Sequence, residues 1–476
     1  MKFKQIFQTQ NLTTGTIWKK LIIFAIPIFI SSLLGNAFSL VNSLVLKTTV
    51  GGDAVTAINV TGSISSLLFN FAYGCTSGFA VLISNKFGAN DKLGIKKIYA
   101  HSLVISLIIG VFISILGISL LNVLLDILNV ADKFYSDAYN YFLIILIGFI
   151  FMVLSNLLGN LLRALGDSFF PLCVSLITTL LNIGLAFLFS GVIKLSTRGV
   201  AIATISSNLI NVIITLIYLH KKHSYLNLKF NDFKLEKDET IDLLKMGIPL
   251  GLQWSILFIG SFIQSSQVNK FGVVLDSNNI ETSMASKAAT CYSNIEGYLT
   301  MPLSTMSNAL LSFVGQNYGA KEYDRIKKGI KDTFLIDVVI AIICLIIGLP
   351  LIKYVPYIFL PENEVNESII YYCSMYLYAV IPSLILQGTL QLSRSTLQGI
   401  KKPLIPFLSG IGELCARAFV CFLLPIMINK TNPLSNESYL GLCFSTPLAW
   451  LISVIIMGGS VIYFVYSKKS IFKKSK

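Results

Sequence analysis

Apolar residues along this chain gather in long, nearly charge-free runs, and the charged residues fall mostly in the short segments between them. The runs are 21–46, 54–85, 98–125, 138–162, 168–193, 199–219, 246–269, 288–320, 333–352, 368–393, 403–429 and 438–467. A helix of about 20 apolar residues crosses the hydrocarbon core of a bilayer. The pattern therefore predicts twelve transmembrane helices in an all-α polytopic membrane protein. The first run is too long and too poorly flanked for a cleaved signal peptide, and it is expected to remain as the first helix.

Charge orients these helices. Of the 37 Lys and Arg, 28 fall on one side: before the first run, between runs 2–3, 4–5, 6–7, 8–9 and 10–11, and after the last. Basic residues are retained on the cytoplasmic side, so both termini are expected in the cytoplasm. The same rule accounts for the net charge of +14, and no nucleic-acid partner is expected. Only 13% of residues are charged, against about 25% in soluble domains, and the mean hydropathy is +0.74. An ordinary soluble enzyme, a disordered chain and a disulfide scaffold are all excluded. The eight Cys are scattered singly, without CxxC spacing, and read as small buried hydrophobes. Three His are too few for a metal path.

The chain repeats itself. At an offset of 231, Phe87 aligns with Tyr318, Gly88 with Gly319, Ala89 with Ala320, Ile95 with Ile326, and Lys96-Lys97 with Lys327-Lys328. Pro27 opens the first run much as Pro249 opens the seventh. Fifteen residues beyond each lies an amide, Asn42 and Gln264. Six helices per copy is an even number, so both copies start on the same side and form a parallel repeat. The expected division is an N-terminal lobe over 1–220, a charged cytoplasmic linker over 221–245, and a C-terminal lobe with a basic tail over 246–476. Two such lobes are a transporter architecture. No HExxH, GxSxG or Walker A pattern occurs, so neither enzyme chemistry nor a nucleotide site is expected. Without a nucleotide site, the energy must come from an ion gradient.

Several segments carry a family resemblance. They are Phe87-Gly-Ala-Asn-Asp91, Leu162-Arg-Ala-Leu-Gly-Asp-Ser168 with Pro171, Val314-Gly-Gln-Asn-Tyr-Gly-Ala320 with Asp324-Arg-Ile-Lys-Lys328, Leu397-Gln-Gly399 with Pro406, Gly412-Glu-Leu-Cys-Ala-Arg417, and Pro447-Leu-Ala-Trp450. In order and on these helices, they resemble the multidrug and toxic compound extrusion (MATE) family from about residue 15 to about 465. The resemblance implies two six-helix lobes around a V-shaped cavity. It also implies export of organic, often cationic, compounds in exchange for Na⁺ or H⁺, with no other cofactor. One position departs from the family: the acid usual in the first helix is replaced in Val41-Asn42-Ser43, and Asn cannot ionise. Run 246–269 also lacks any Asp or Glu.

Charges inside a membrane are costly and mark candidate sites. Glu296 and Glu413 lie well inside their runs, and Arg417 stands four residues after Glu413 on the same helix face. Glu296 is the expected ion-coupling group; the plainer alternative is an acid bound to a neighbouring helix. Glu413 and Arg417 read equally as a static ion pair or as part of the coupling. Asp126 and Asp337 read as interfacial. Runs two and eight are rich in polar residues and glycine at matching places, which points to the transport path or to tight helix packing. Asn42, Gln264, Asn70, Asn294, Tyr298 and Asn308 are the expected cavity residues. Arg163, Asp167, Gln316, Asn317 and Arg394 are expected at cytoplasmic junctions that hold that side closed.

The sequence is thus read as a secondary active exporter in the plasma membrane of a prokaryote, with small organic substrates, membrane lipids as its surroundings, and a monomer as the expected state. A lipid-linked oligosaccharide flippase of the same superfamily is the first alternative, although only Arg417 and Lys287 would offer positive charge to a pyrophosphate. A non-transporting receptor or scaffold is the second, against which the intramembrane acids argue.

Overall fold

The computed structural model describes residues 9–49, 52–127, 130, 132–275 and 281–467. The helices are α1 (Ile17–Thr49), α2 (Gly52–Gly88), α3 (Lys92–Ser119), α4 (Leu121–Ile127), α5 (Asp132–Ile147), α6 (Phe149–Ala164), α7 (Phe169–Ala186), α8 (Ser196–Lys222) and α9 (Lys237–Val268). A short antiparallel hairpin follows, β1 (Val273–Leu275) and β2 (Glu281–Ser283), with Val273 opposite Ser283. Then come α10 (Met284–Gly319), α11 (Tyr323–Leu351), α12 (Val355–Phe359), α13 (Glu367–Val380), α14 (Leu384–Gly399), α15 (Leu404–Ile428), α16 (Asn436–Cys443) and α17 (Ser445–Val461).

Among the described residues ten helical segments are long and apolar enough to cross a membrane, and α5 with α6, bent by 50°, form an eleventh. The remaining predicted crossing is α10. It is 36 residues long but falls short on apolarity, because its polar side chains build the site described below. Four predicted runs prove to be helix pairs rather than single helices. Runs 98–125, 138–162, 368–393 and 438–467 each contain a break. Gly148 marks one of them: a Cβ there would lie 2.3 Å from Ile205. Pro382 marks another, between α13 and α14. The prolines of α1 and α9 are interior, with Pro27 and Pro249 both inside continuous helix. The hairpin was not foreseen from the sequence.

The chain forms two compact units. The first comprises 1–255 with 315–322, and the second comprises 256–314 with 323–476. In the first unit α2 packs on α3, α5 and α6, α7 pairs with α8, and α1 lies against α7. The start of α9 joins it through two facing Gly-xxx-Gly pairs. A Cβ at Gly74 would fall 2.4 Å from the Leu250 carbonyl oxygen, and one at Gly78 would fall 2.8 Å from that of Met246. Gly247 and Gly251 meet Phe79 and Cys75 in return. Lipid gives two apolar helices no hydrophobic reason to associate, so close backbone approach at small residues supplies the dispersion energy. The charged segment before α9 is tied to α3 by Lys96–Asp232 at 2.7 Å, and by Lys97 to Glu236 at 2.6 Å and Glu239 at 2.7 Å. The Lys229 amide and the Lys96 ammonium together hold the Asp232 carboxyl below its ordinary range.

The repeat reappears as geometry where the end of α2 meets the end of α10, inside the first unit. A Cβ at Gly88 would lie 1.8 Å from the Gln316 carbonyl oxygen, and one at Gly319 would lie 1.8 Å from that of Asn85. The offset of 231 relates both members of these two contacts, so the crossing is reciprocal. In the second unit α15 and α14 pack on α17, α11 packs on α14, and α13 packs on α16. Large apolar side chains such as Phe112, Ile115, Ile346 and Ile455 point outward, as lipid-facing positions must.

Ala normally stabilises a helix interior relative to Gly by about 1 kcal/mol. At Gly88 and Gly319 the sign should reverse. Gly88→Ala and Gly319→Ala should each destabilise the protein by about 1–3 kcal/mol through overpacking, read as a lower melting temperature in detergent. Gly184→Ala, where nothing lies within 4 Å, should be neutral or stabilising. Equal behaviour of all three variants would show that the crossing is not tight.

Candidate functional site

The site belongs to the second unit. Along α10 the residues Ala289, Tyr292, Ser293, Glu296, Gly297 and Thr300 form one stripe at helical spacing and line a cavity of about 310 Å³. The end of α9, with α13, α15 and α17, supplies Gln264, Tyr376, Arg417 and Thr446 to the same cavity. The α10 stripe leaves out residues two positions from Glu296, because two residues turn a helix by about 200°. For that reason Asn294 and Tyr298, expected here, are not among the lining residues. Asn294 is exposed and donates to the Thr290 carbonyl at 2.7 Å. Asn308 stands about 18 Å further along α10 and is half-buried. Asn70 is half-buried on α2 in the first unit. The side chain of Asn42 lies outside the described residues.

Gln264 does join the site, and a continuous polar network runs through it. The Tyr376 hydroxyl donates to Glu296 Oε2 at 2.8 Å and lies 3.0 Å from Thr446 Oγ1. Gln264 Nε2 approaches the same hydroxyl at 3.4 Å. Thr446 donates to Gln264 Oε1 at 3.1 Å, and Arg417 Nη1 donates to that oxygen at 2.7 Å and to Thr446 at 3.2 Å. Arg417 Nη2 donates to Glu413 Oε1 at 3.2 Å. Glu413 Oε2 accepts from Ser453 at 3.2 Å and stands 3.8 Å from Arg394 Nη2. Arg394 Nη1 in turn donates to Gln391 at 3.1 Å, and Gln391 donates to Ser304 at 3.4 Å. Six helices thus hold two carboxylates and two guanidiniums in one charge-balanced cluster, with Glu413, Arg394 and Arg417 all under one-tenth exposed.

Arg394 was expected in a cytoplasmic loop. It sits instead within α14, where a loop position would have left Glu413 with a single cation. Arg163 is likewise helical, in the last turn of α6, donating to Asn160 at 3.1 Å. Asp167 accepts the Phe170 amide at 3.0 Å in the first turn of α7 and pairs with Lys222 at 3.0 Å. Gln316 and Asn317 stitch the junction. Gln316 accepts the Leu12 amide and donates to the Ala164 carbonyl, each at 3.0 Å, while Asn317 donates to the Leu12 carbonyl at 3.2 Å. The adjoining turn needs Gly166, whose φ is +83° and whose Cβ would meet the Gln10 carbonyl. Asp337, expected at an interface, is 1% exposed on the inward face of α11.

Tyr376 and Thr446 went unrecognised in the sequence. Tyr376 is one of several tyrosines in its run, and only the position of Thr446 beside Pro447 hinted at it. A second polar cavity, about 110 Å³ in the first unit, was also missed. It lies between α7 and α8 and is lined by hydroxyls and amides, among them Asn182, Thr204 and Asn208, with no ionisable group in its lining.

The MatE family model matches residues 27–188 and 281–423. The probable multidrug resistance protein YoeA of Bacillus subtilis is 25% identical over 97% of both chains. The probable multidrug resistance protein NorM of Thermotoga maritima is 25% identical over 73% of this chain and 74% of its own. Among solved structures, a MOP superfamily transporter from Pyrococcus furiosus superposes with a TM-score of 0.84 at 20% identity, over 95% of this chain and 98% of the other. The outward-facing conformation of a multidrug resistance MATE family transporter also gives 0.84, at 19% identity, over 97% of this chain and all of the other.

Breaking a buried ion pair strands a charge and costs roughly 3–5 kcal/mol, whereas removing both partners costs far less. Glu413→Gln and Arg417→Gln should therefore each lower thermal stability strongly, and the double variant should lose less than the sum. A double-mutant cycle with a coupling near zero would show that the pair is not an energetic unit.

Proposed function

The chain belongs to the MatE family, a transporter family, and we propose that it is a secondary active multidrug exporter in which H⁺ or Na⁺ and an organic cation compete for Glu296. The observation that carries this reading is the placement of Glu296: half-buried, in the wall of a cavity of about 310 Å³, and bonded to Tyr376 rather than directly to a cation. Glu413, by contrast, is held by Ser453 and Arg417. Of Glu296 and Glu413, Glu296 is the one that lines the cavity where an incoming ion or ligand would find it.

The network gives competition a structural consequence. With Glu296 ionised, Tyr376 donates to it, and the cavity wall attracts an organic cation. The stacked rings of Tyr292 and Tyr376, 3.8 Å apart, offer an adjoining π surface. A proton on Glu296 removes that attraction and lets the acid donate to Tyr376. The hydroxyl then turns toward Thr446, and the change reaches Gln264 and Arg417 through hydrogen bonds already in place. Na⁺ would act by neutralising the same carboxylate. Substrate leaves as the ion arrives, and the cycle is antiport. The glycine crossing of Gly88 with Gly319, locked by Gln316 and Asn317, is read as the closed cytoplasmic side. Both termini are then cytoplasmic, and the plasma membrane of a prokaryote is the site of action. The chain works as a monomer in this reading.

Dye efflux from proteoliposomes, driven separately by imposed H⁺ and Na⁺ gradients, tests the proposal. One gradient should drive efflux by the wild type. Glu296→Gln keeps the shape and an acceptor for Tyr376, yet it should lower driven efflux by about tenfold or more, corresponding to about 1.4 kcal/mol of coupling. Its thermal stability should stay close to that of the wild type. Gradient-driven efflux that survives in Glu296→Gln would rule out this carboxylate as the coupling group.

A further inference from the structure

One buried acid takes no part in the cluster around Glu296. Asp337 lies on the inward stripe of α11 formed by Ile326, Ile330, Thr333, Asp337 and Ala341, and both of its carboxyl oxygens lack a hydrogen-bond partner. The hydroxyl of Thr333, one turn earlier on the same stripe, is buried and unpartnered as well. The facing residue on α14 is Gly388. A Cβ there would lie 3.1 Å from the Asp337 Cβ and 3.3 Å from Leu303 of α10, so the glycine leaves room for this side chain.

Among the described residues no neighbour supplies the opposite charge. Arg394, the one charged residue of α14, is engaged by Gln391 and Glu413. The two charged residues of α10 are Lys287, which pairs with Glu364, and Glu296, which is bonded to Tyr376. The turn at Ile352–Tyr354 carries Lys353, sixteen residues further on, and Ile381–Ser383 carries no charge. On α11 itself, Lys331 and Asp332 lie more than a turn earlier. An ionised carboxylate left alone at such a place is prohibitively costly, and intramembrane carboxylates without a partner mark ion pathways. A hard metal cation needs several oxygens around it, whereas the side-chain oxygen found near this carboxyl is the single Thr333 hydroxyl, and Gly388 stands opposite it. The ligand this environment accepts is a proton.

We propose that Asp337 is a second proton-binding site of this protein, distinct from the cluster around Glu296. It is placed to exchange with that cluster. Gln391, at the far end of the network, lies three residues from Gly388, about 4.5 Å along α14, and its partner Ser304 adjoins Leu303. Ser307 and Ser395, bonded at 2.7 Å, continue the polar seam between α10 and α14. A proton bound at Asp337 neutralises its carboxylate on the α11–α14 face, and its loss places an unpaired anion between packed helices. Occupancy therefore biases how those helices pack. The inference goes beyond the export reading and holds whichever ion Glu296 takes.

The test is pH-difference infrared spectroscopy of the reconstituted full chain labelled with carboxyl-¹³C aspartate, beside gradient-driven dye efflux. The wild type should show a protonated aspartate carbonyl band that disappears as pH rises. Asp337→Asn, a neutral near-isostere, should lack that band, and Glu296→Gln should keep it. The pH profile of efflux should move by about one unit or more in Asp337→Asn. Gly388→Ala, which presses on the carboxyl without removing it, should shift the band. A wild type with no pH-sensitive aspartate band overturns the proposal without recourse to any variant. So does an Asp337→Asn spectrum or pH profile that superimposes on the wild type. Because the spectrum is read without transport, failure of the Glu296 assignment and failure of this one are told apart.

Discussion

Glu413 bears on two guanidiniums at once, Arg417 at 3.2 Å and Arg394 at 3.8 Å, with all three side chains buried among apolar helices. A charge in that position survives only if opposite charge and hydrogen bonds surround it. Meeting that demand recruits α14, α15 and α17 directly, since Ser453 occupies the remaining side of the carboxylate. Arg417 then has donors to spare, and these fix Gln264 of α9 and Thr446 of α17. Glu296 is reached last, through Tyr376. The Glu296 carboxylate is thus held by groups that are themselves held by the charge pair, in one continuous hydrogen-bonded path.

The first unit is organised by a different constraint, the absence of side chain. Gly74, Gly78, Gly247 and Gly251 bring α2 and α9 to backbone contact, and Gly88 and Gly319 do the same for the ends of α2 and α10. In lipid the hydrophobic effect does not drive helices together, so contact distance decides. Close approach in the first unit is thus set by glycine, while the second unit holds the cluster of buried carboxylates and guanidiniums. The polar cavity between α7 and α8 fits this division, because its amide and hydroxyl lining has nothing that can take up a proton near neutral pH.

The three acids that lie within helices of the second unit's apolar runs, Glu296, Glu413 and Asp337, illustrate how environment differs. Glu413 is paired on both oxygens and serves the architecture. Glu296 has one phenolic partner and an open cavity. Asp337 has no hydrogen-bond partner among the described residues, and a glycine stands opposite it. The residue type is nearly the same in all three, and what differs is which neighbouring helix presents which atom.

The sequence by itself determined the membrane class, the run of helices and the repeat, because these follow from hydropathy, bilayer thickness and matching motifs, all of which are local or periodic. It also marked Glu296, Glu413 and Arg417, since a charge inside an apolar run is conspicuous and the spacing of four fixes a shared helix face. Tertiary structure alone decided the rest. Tyr376 and Thr446 are ordinary residues whose importance comes from meeting Gln264 across three helices. Asn294 and Tyr298 looked suitable but point away from the cavity, because they stand two residues from Glu296 on a helix of 3.6 residues per turn. Arg394 read as a loop cation and Asp337 as an interfacial acid, for want of knowing where α14 ends, where α11 begins and what packs against them. Which side chains share a cavity depends on helix rotation and on the facing helix, and neither is written in the spacing of a single segment.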